Sequence, residues 1–185
     1  MTNKIWQSPA IALITAGTIM CAVTAPESAY AQTKDPSDQA VLLGQFGDWG
    51  AYSATPGGKK VCFALSKPTS GVTDPPGRNR DASYAFISTR PAEKVKDEVS
   101  VIVGYPQKSG HDAVATVDSS NFVMYTQNDG AWVKNAAEEA QMVTAMRKGS
   151  DMVIKSESSR GTKTTDTYSL KGVSDALDKV AAECK

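Results

Sequence analysis

The stretch FGDWGAYSATPGGKKVCFALSKP, Phe46 to Pro68, decides how the folded part of this chain begins. FGDWGAYSA alternates around Phe46, Trp49 and Tyr52, and KKVCFALS forms a second apolar run. Between them TPGGK has the Pro and Gly content of a tight connection, so the two runs predict an antiparallel hairpin. One cysteine, Cys62, sits in the second strand between Val61 and Phe63. Side chains alternate across a strand, so Cys62 faces the side opposite those two neighbours. Its partner must come from another part of the chain.

The N-terminus bears on which cysteines are available. MTNKIW carries one positive charge at Lys4, an apolar stretch runs from Ala10 to Val23, and SAYAQT follows. Ala29-Tyr30-Ala31 is an A-x-A site, which predicts a signal peptide over 1–31 cut between Ala31 and Gln32. The apolar stretch is too short and too broken by Thr and Gly for a comfortable bilayer span. Met20 before Cys21 is not the small residue that lipidation requires. Cys21 therefore leaves with the leader, and Cys62 and Cys184 remain as an even pair in an oxidising compartment, which predicts a disulfide. Two free thiols or a metal pair are the alternatives. With one histidine in the chain and no C-x-x-C, a structural zinc site lacks ligands.

About 154 residues remain after cleavage, enough for one domain with a core of its own. Gln32 to Ala40 reads as a flexible polar leader and 41–185 as a single β domain. Lys67 to Asp81, KPTSGVTDPPGRNRD, has three prolines and no apolar period and predicts a long loop. SYAFISTR, EVSVIVGY, HDAVATVD, NFVMYTQ and AWVK are β-branched and aromatic-rich. DMVIKSES and KTTDTYSL predict a hairpin across SRGT.

Two helices stand out. In NAAEEAQMVTAMRKGS, Asn135 caps, Glu138 follows three residues on, and Gly149 stops the helix. Ala136, Ala140, Val143 and Met146 mark its apolar side. The last helix, SDALDKVAAECK, is capped by Ser174 and places Leu177, Val180, Ala181 and Cys184 on one stripe. That stripe must pack on a sheet, one that could include Cys62. The expected fold class is mainly β: an antiparallel β-sandwich or barrel-like fold with two peripheral helices, one of them C-terminal.

The composition excludes several function classes. Twenty Lys and Arg balance twenty Asp and Glu, and the balance survives loss of Lys4 and Glu27. No basic excess predicts nucleic acid, and no acidic excess predicts calcium. No cofactor or metal is expected. His111, the single histidine, lies in a polar Gly-containing turn with no G-x-S-x-G elsewhere. VGYPQ and TPGGKK lack the spacing of a phosphate loop. The Glu138-Glu139 pair reads as a solvated helix face. Trp49 reads as core, as large strand aromatics usually are. The loop with Pro68, Pro75, Pro76, Arg78 and Arg80 is the best surface candidate, and Arg78 and Arg80 are its candidate contact residues.

The early Gly47-Asp48-Trp49, the KKVCFAL segment, the central ISTRPAEKVKDEVSVIVGYP and AMRKGSDMVIKS, and the terminal SLKGVSDALDKVAAEC together resemble the invasion-associated locus B family. Where many members carry a further cysteine soon after Gly-Asp-Trp, this chain has Tyr52 and Ser53. The resemblance implies an exported alphaproteobacterial protein, periplasmic or at the cell surface, linked in pathogens to host-cell entry. It implies no catalytic activity. An envelope or host protein is the implied partner, and the mature chain is expected to have no integral membrane span. The alternative is a periplasmic hydrolase or carbohydrate-binding protein with an unrecognised site.

Overall fold

Alternation of apolar and polar residues builds eleven strands and two helices in the computed structural model, which describes residues 39–185. The signal-peptide and cleavage expectations, Ala31 and Gln32 included, and most of the polar leader lie outside the described residues. The strands are β1 (Val41–Phe46), β2 (Trp49–Ala54), β3 (Val61–Ser66), β4 (Ser70–Asp74), β5 (Tyr84–Arg90), β6 (Val95–Ile102), β7 (Ala113–Val117), β8 (Ser120–Gln127), β9 (Gly130–Val133), β10 (Asp151–Glu157) and β11 (Lys163–Ser169). Helix α1 (Ala136–Lys148) separates β9 from β10, and α2 (Val173–Glu183) ends the chain.

All eleven strands join one antiparallel sheet in the order β1-β2-β3-β5-β6-β9-β8-β7-β10-β11-β4. It is mainly β with two helices, as expected, and it is not closed into a barrel: β1 and β4 are its edges. Two strand assignments differ from the sequence reading. The FGDWGAYSA run is two strands, because Gly47-Asp48 turns the chain between β1 and β2. The expected loop 67–81 contains β4, whose five residues pair with β11. Apolar periodicity could not reveal β4, since as an edge strand it needs only the β11 backbone on one side.

The sheet bends so that one face gathers a shared core. Cys62 and Ala64 of β3, Ala85 and Ile87 of β5, Val99 and Val101 of β6, Ile154 of β10 and Tyr168 of β11 all belong to it. Trp49 is fully buried there, and its indole N–H donates to the Ser169 carbonyl at 2.9 Å. Helix α2 lies against β1, β2, β3 and β5, and α1 against β6 to β9. The opposite face carries a smaller cluster of Phe63, Leu65 and Tyr84 with Tyr52 and Phe86. Trp132 stacks on Tyr125 at 5.7 Å between centroids. Cross-strand pairing puts Trp132 in one row with Ser100, Phe86 and Leu65, so it lies on this outer side, unlike Trp49.

Each helix keeps part of its expected stripe: Val143 and Met146 in α1, and Leu177, Val180 and Cys184 at α2, are buried. In α1 the buried residues are Met142, Val143 and Met146, while Ala136 and Ala140 are exposed. Asn135 caps as expected, accepting the Glu138 N–H at 2.9 Å. Glu139 is not part of a solvated face. It is half-buried, and its carboxylate accepts the Val99 N–H of β6 at 2.8 Å. In α2 the buried residues are Val173, Ala176, Leu177 and Val180, and Ala181 is exposed. The N-cap is Gly172 rather than Ser174, with φ of 91°. A Cβ there would sit 1.9 Å from the Phe46 carbonyl oxygen, so only glycine allows the helix to start against the β1–β2 turn.

Cys184 is buried just past the end of α2 and bonds Cys62 of β3, with the two Cα atoms 5.9 Å apart. The bond closes a separation of 122 residues. Beside it Lys60 bonds the Glu183 carboxylate and carbonyl. That ion pair holds the Glu183 carboxyl below its ordinary range.

Candidate functional site

Three connections meet beyond the β11–β4 edge and form a groove of about 570 Å³. The first is the segment from Arg78 to Asp81, which follows β4. The second is Gly104 to Pro106, after β6. The third is Ser158 to Thr162, between β10 and β11.

Backbone bonds fix their arrangement. The Asp81 N–H donates to the Gly104 carbonyl at 3.0 Å, and the Ser159 N–H to the Pro106 carbonyl at 2.9 Å. Gly104 has φ of 76°, and a Cβ there would meet the Asp81 carbonyl oxygen at 2.2 Å, so the first two connections touch only because this residue is glycine. The third is a tight turn: Ser158 N–H donates to the Thr162 carbonyl, Gly161 N–H to the Ser158 carbonyl, and Thr162 N–H to the Ser158 hydroxyl. Arg160 sits at its exposed tip.

Arg78 and Arg80, named together from the sequence, do different work. Arg78 is exposed, and its backbone N–H donates to the Thr73 hydroxyl at 3.3 Å. Arg80 is not a free loop-tip cation. It forks both carboxylate oxygens of Asp166 and donates to the Val103 carbonyl at 3.1 Å. Asp166 is 0 % exposed and the Arg80 side chain 16 %. The hydrogen bond to Asp166 is the main reason the guanidinium is held above its ordinary pKa, with burial opposing it. A buried carboxylate in a strand must be paired. Asp166 in KTTDTYSL was the sequence signal for this arrangement, and strand reading passed over it.

The floor beneath is a hydrogen-bonded network. Tyr105 Oη bonds the Thr164 hydroxyl. Ser83 Oγ donates to the Ile102 carbonyl at 2.8 Å, so it receives its 2.7 Å bond from the Tyr168 hydroxyl. Burial pushes the Tyr168 phenol well above its usual range. The side chains of Arg78, Asn79, Asp81 and Arg160, by contrast, have no hydrogen-bond or ion-pair partner among the described residues.

His111 lines a second, shallower groove of about 430 Å³ with Asp74, Asp112 and Glu157. Two of these carboxylates are already paired: Glu157 with Lys108 at 2.9 Å and Asp112 with Lys134 at 2.8 Å. The Lys108 hydrogen bond holds Glu157 below its ordinary range. The nearby Ser156 hydroxyl is buried and bonds the Gln107 side-chain oxygen. No described helix is long and apolar enough to cross a membrane.

A single antiparallel sheet with a helix locked by a disulfide to its third strand, and a polar groove at the opposite edge, defines a class of small β-domain proteins. The family model described as Invasion associated locus B (IalB) protein matches residues 49–181, from Trp49 to Ala181, and the chain belongs to that family. No curated protein and no solved structure matches it.

Proposed function

We propose that this protein is an exported, non-catalytic interaction module of the cell envelope or surface, and that it engages its partner through the groove of Arg78 and Arg160. The observation that carries this reading is the contrast within that groove. Its floor is fully bonded, while Arg78, Asn79, Asp81 and Arg160 stand uncommitted at its rim. A rigid base under free polar groups is what recognition needs, because little order remains to be imposed on binding. Three of the groove's hydroxyls support binding over chemistry. Thr73, Ser158 and Thr164 are each engaged by a backbone N–H or another hydroxyl rather than by a base. Export follows from the A-x-A leader, and the buried Cys62–Cys184 bond fits an oxidising compartment. The family links the module to host-cell entry in pathogens, and an envelope or host protein is the partner this reading expects.

The test is cross-linking capture from the native envelope with the parent and with Arg78→Ala/Arg160→Ala. Surface changes of this kind usually alter stability by no more than about 0.5 kcal/mol, so both proteins should melt alike. Specific capture should be lost in the variant. Equal capture by both would remove the groove from the function.

One observation favours a second reading, a periplasmic hydrolase: His111 does share a groove with three carboxylates. The lysine pairing of two of them leaves little for acid–base work. Hydrolysis of an envelope substrate that disappears in His111→Ala would replace the first reading with this one.

A further inference from the structure

We infer that the groove at the β11–β4 edge binds an acidic saccharide, a sugar bearing a carboxylate or phosphate, with Arg78 and Arg160 on its charge. The inference rests on the reading of this groove as the interaction site and names the group it takes on its partner, a saccharide that an envelope or host protein carries.

Charge comes first. Three guanidiniums line the groove, but Arg80 is neutralised by the fully buried Asp166. Arg78 and Arg160 are left to face solvent with no carboxylate bound to them among the described residues. Guanidinium groups hold planar or tetrahedral oxyanions through paired N–H donors. Their separation along the chain is bridged by fixed contacts: Arg78 is tied to Thr73, which pairs with Thr164, and Arg160 is tied through its turn to Pro106. The two cations therefore stand on a common frame.

The remaining groups select a polyhydroxylated anion over a bare one. Asp81 is an acceptor only, and it stands in the same groove. It repels a simple anion or an acidic peptide side chain, but it accepts hydrogen bonds from sugar hydroxyls. Asn79 and the hydroxyls of Ser159 and Thr162 add donors and acceptors around it. The volume, about 570 Å³, falls in the range of small-ligand sites.

Isothermal titration of the disulfide-intact protein tests this with five probes: a uronic-acid oligosaccharide, a hexose phosphate, the matching neutral oligosaccharide, inorganic phosphate and an oligo-glutamate peptide. Either or both of the charged sugars should bind, and the choice between them identifies the anionic group. The neutral sugar and inorganic phosphate should each bind at least tenfold more weakly. Arg78→Ala and Arg160→Ala should each weaken the charged sugar about tenfold to a hundredfold, as loss of a charge-assisted hydrogen bond does. Asp81→Asn should strengthen the binding of inorganic phosphate and weaken that of the sugar. Equal binding of inorganic phosphate and hexose phosphate, tighter binding of oligo-glutamate, no binding of either charged sugar, or binding unmoved by the arginine variants would each overturn the inference. Envelope capture that still depends on Arg78 and Arg160 while no charged sugar binds would leave the interaction reading standing without this ligand.

Discussion

The two ends of the sheet are fastened by opposite chemistry. At the β1–β2–β3 end, α2 buries Val173, Ala176, Leu177 and Val180 and is bonded through Cys184 to Cys62. At the β11–β4 end, the connections are held by Arg80 on Asp166, Tyr105 on Thr164, and Tyr168 on Ser83. Apolar burial is indifferent to direction, and with the disulfide to pin it, it makes a closed joint. Polar bonds are directional, and they leave neighbouring polar groups at the surface with nothing to do. The groove with its uncommitted rim lies at the second end for that reason.

The largest expected effect probes the covalent end. Cys184→Ser should lower unfolding free energy by about 3–5 kcal/mol under oxidising conditions, because the bond closes a 122-residue separation. Urea titrations with and without reductant measure it, and parent and variant should coincide once reduced. A gap that persists in reductant would assign the loss to the packing of Cys184 rather than to the bond.

Breaking the polar end should cost about 3 kcal/mol. Asp166→Ala leaves the Arg80 guanidinium without its carboxylate in a mostly buried position. The double variant Arg80→Met/Asp166→Leu should recover most of the loss, since paired apolar residues of similar volume often replace a buried ion pair without penalty. Recovery of stability without recovery of capture would show that this pair positions the groove beyond holding the sheet. A double variant as unstable as the single one would mean that the pair's geometry, not its charge balance, supports β4.

The smallest effect separates the two helices. Burial raises the Glu139 carboxyl, with the Val99 N–H opposing it. A carboxyl with a raised folded-state pKa binds more protons when folded than unfolded. Its stabilising contribution is complete below the unfolded value, near 4.5, and is lost as the pH rises through the folded value. Glu139→Gln keeps an acceptor for Val99 and removes the ionisation. The variant should therefore gain stability over the parent as the pH rises above 4.5, and the two should converge below it. A pH series of thermal melts checks this, and a constant offset would show that the carboxylate acts through its hydrogen bond alone.

Much of the first end was legible. Alternation around Cys62 and the helical stripe of Leu177, Val180 and Cys184 both point at one apolar contact, and two cysteines left after export admit one intramolecular bond. The errors nearby were local: Gly172 took the cap from Ser174 because of the Phe46 carbonyl, a contact from distant sequence. At α1 the buried stripe of Met142, Val143 and Met146 begins at Glu139, and a charged residue on an apolar face hides the period.

The candidate site was legible only as a loop rich in proline and arginine. That Arg78 faces outward while Arg80 turns inward depends on Asp166, eighty-six residues away from Arg80. That Arg160 joins Arg78 depends on β4 pairing with β11, with no sequence period behind it. By itself the sequence determined most of the strands, both helices, the Cys62–Cys184 pairing and the family resemblance, because each rests on local periodicity, a count or a run of motifs. The tertiary structure alone decided the sheet order, the edge at β4 and the groove. Those depend on which unpaired backbone and which buried charge meet across the fold, and such meetings are settled by three-dimensional proximity, to which spacing along the chain is blind.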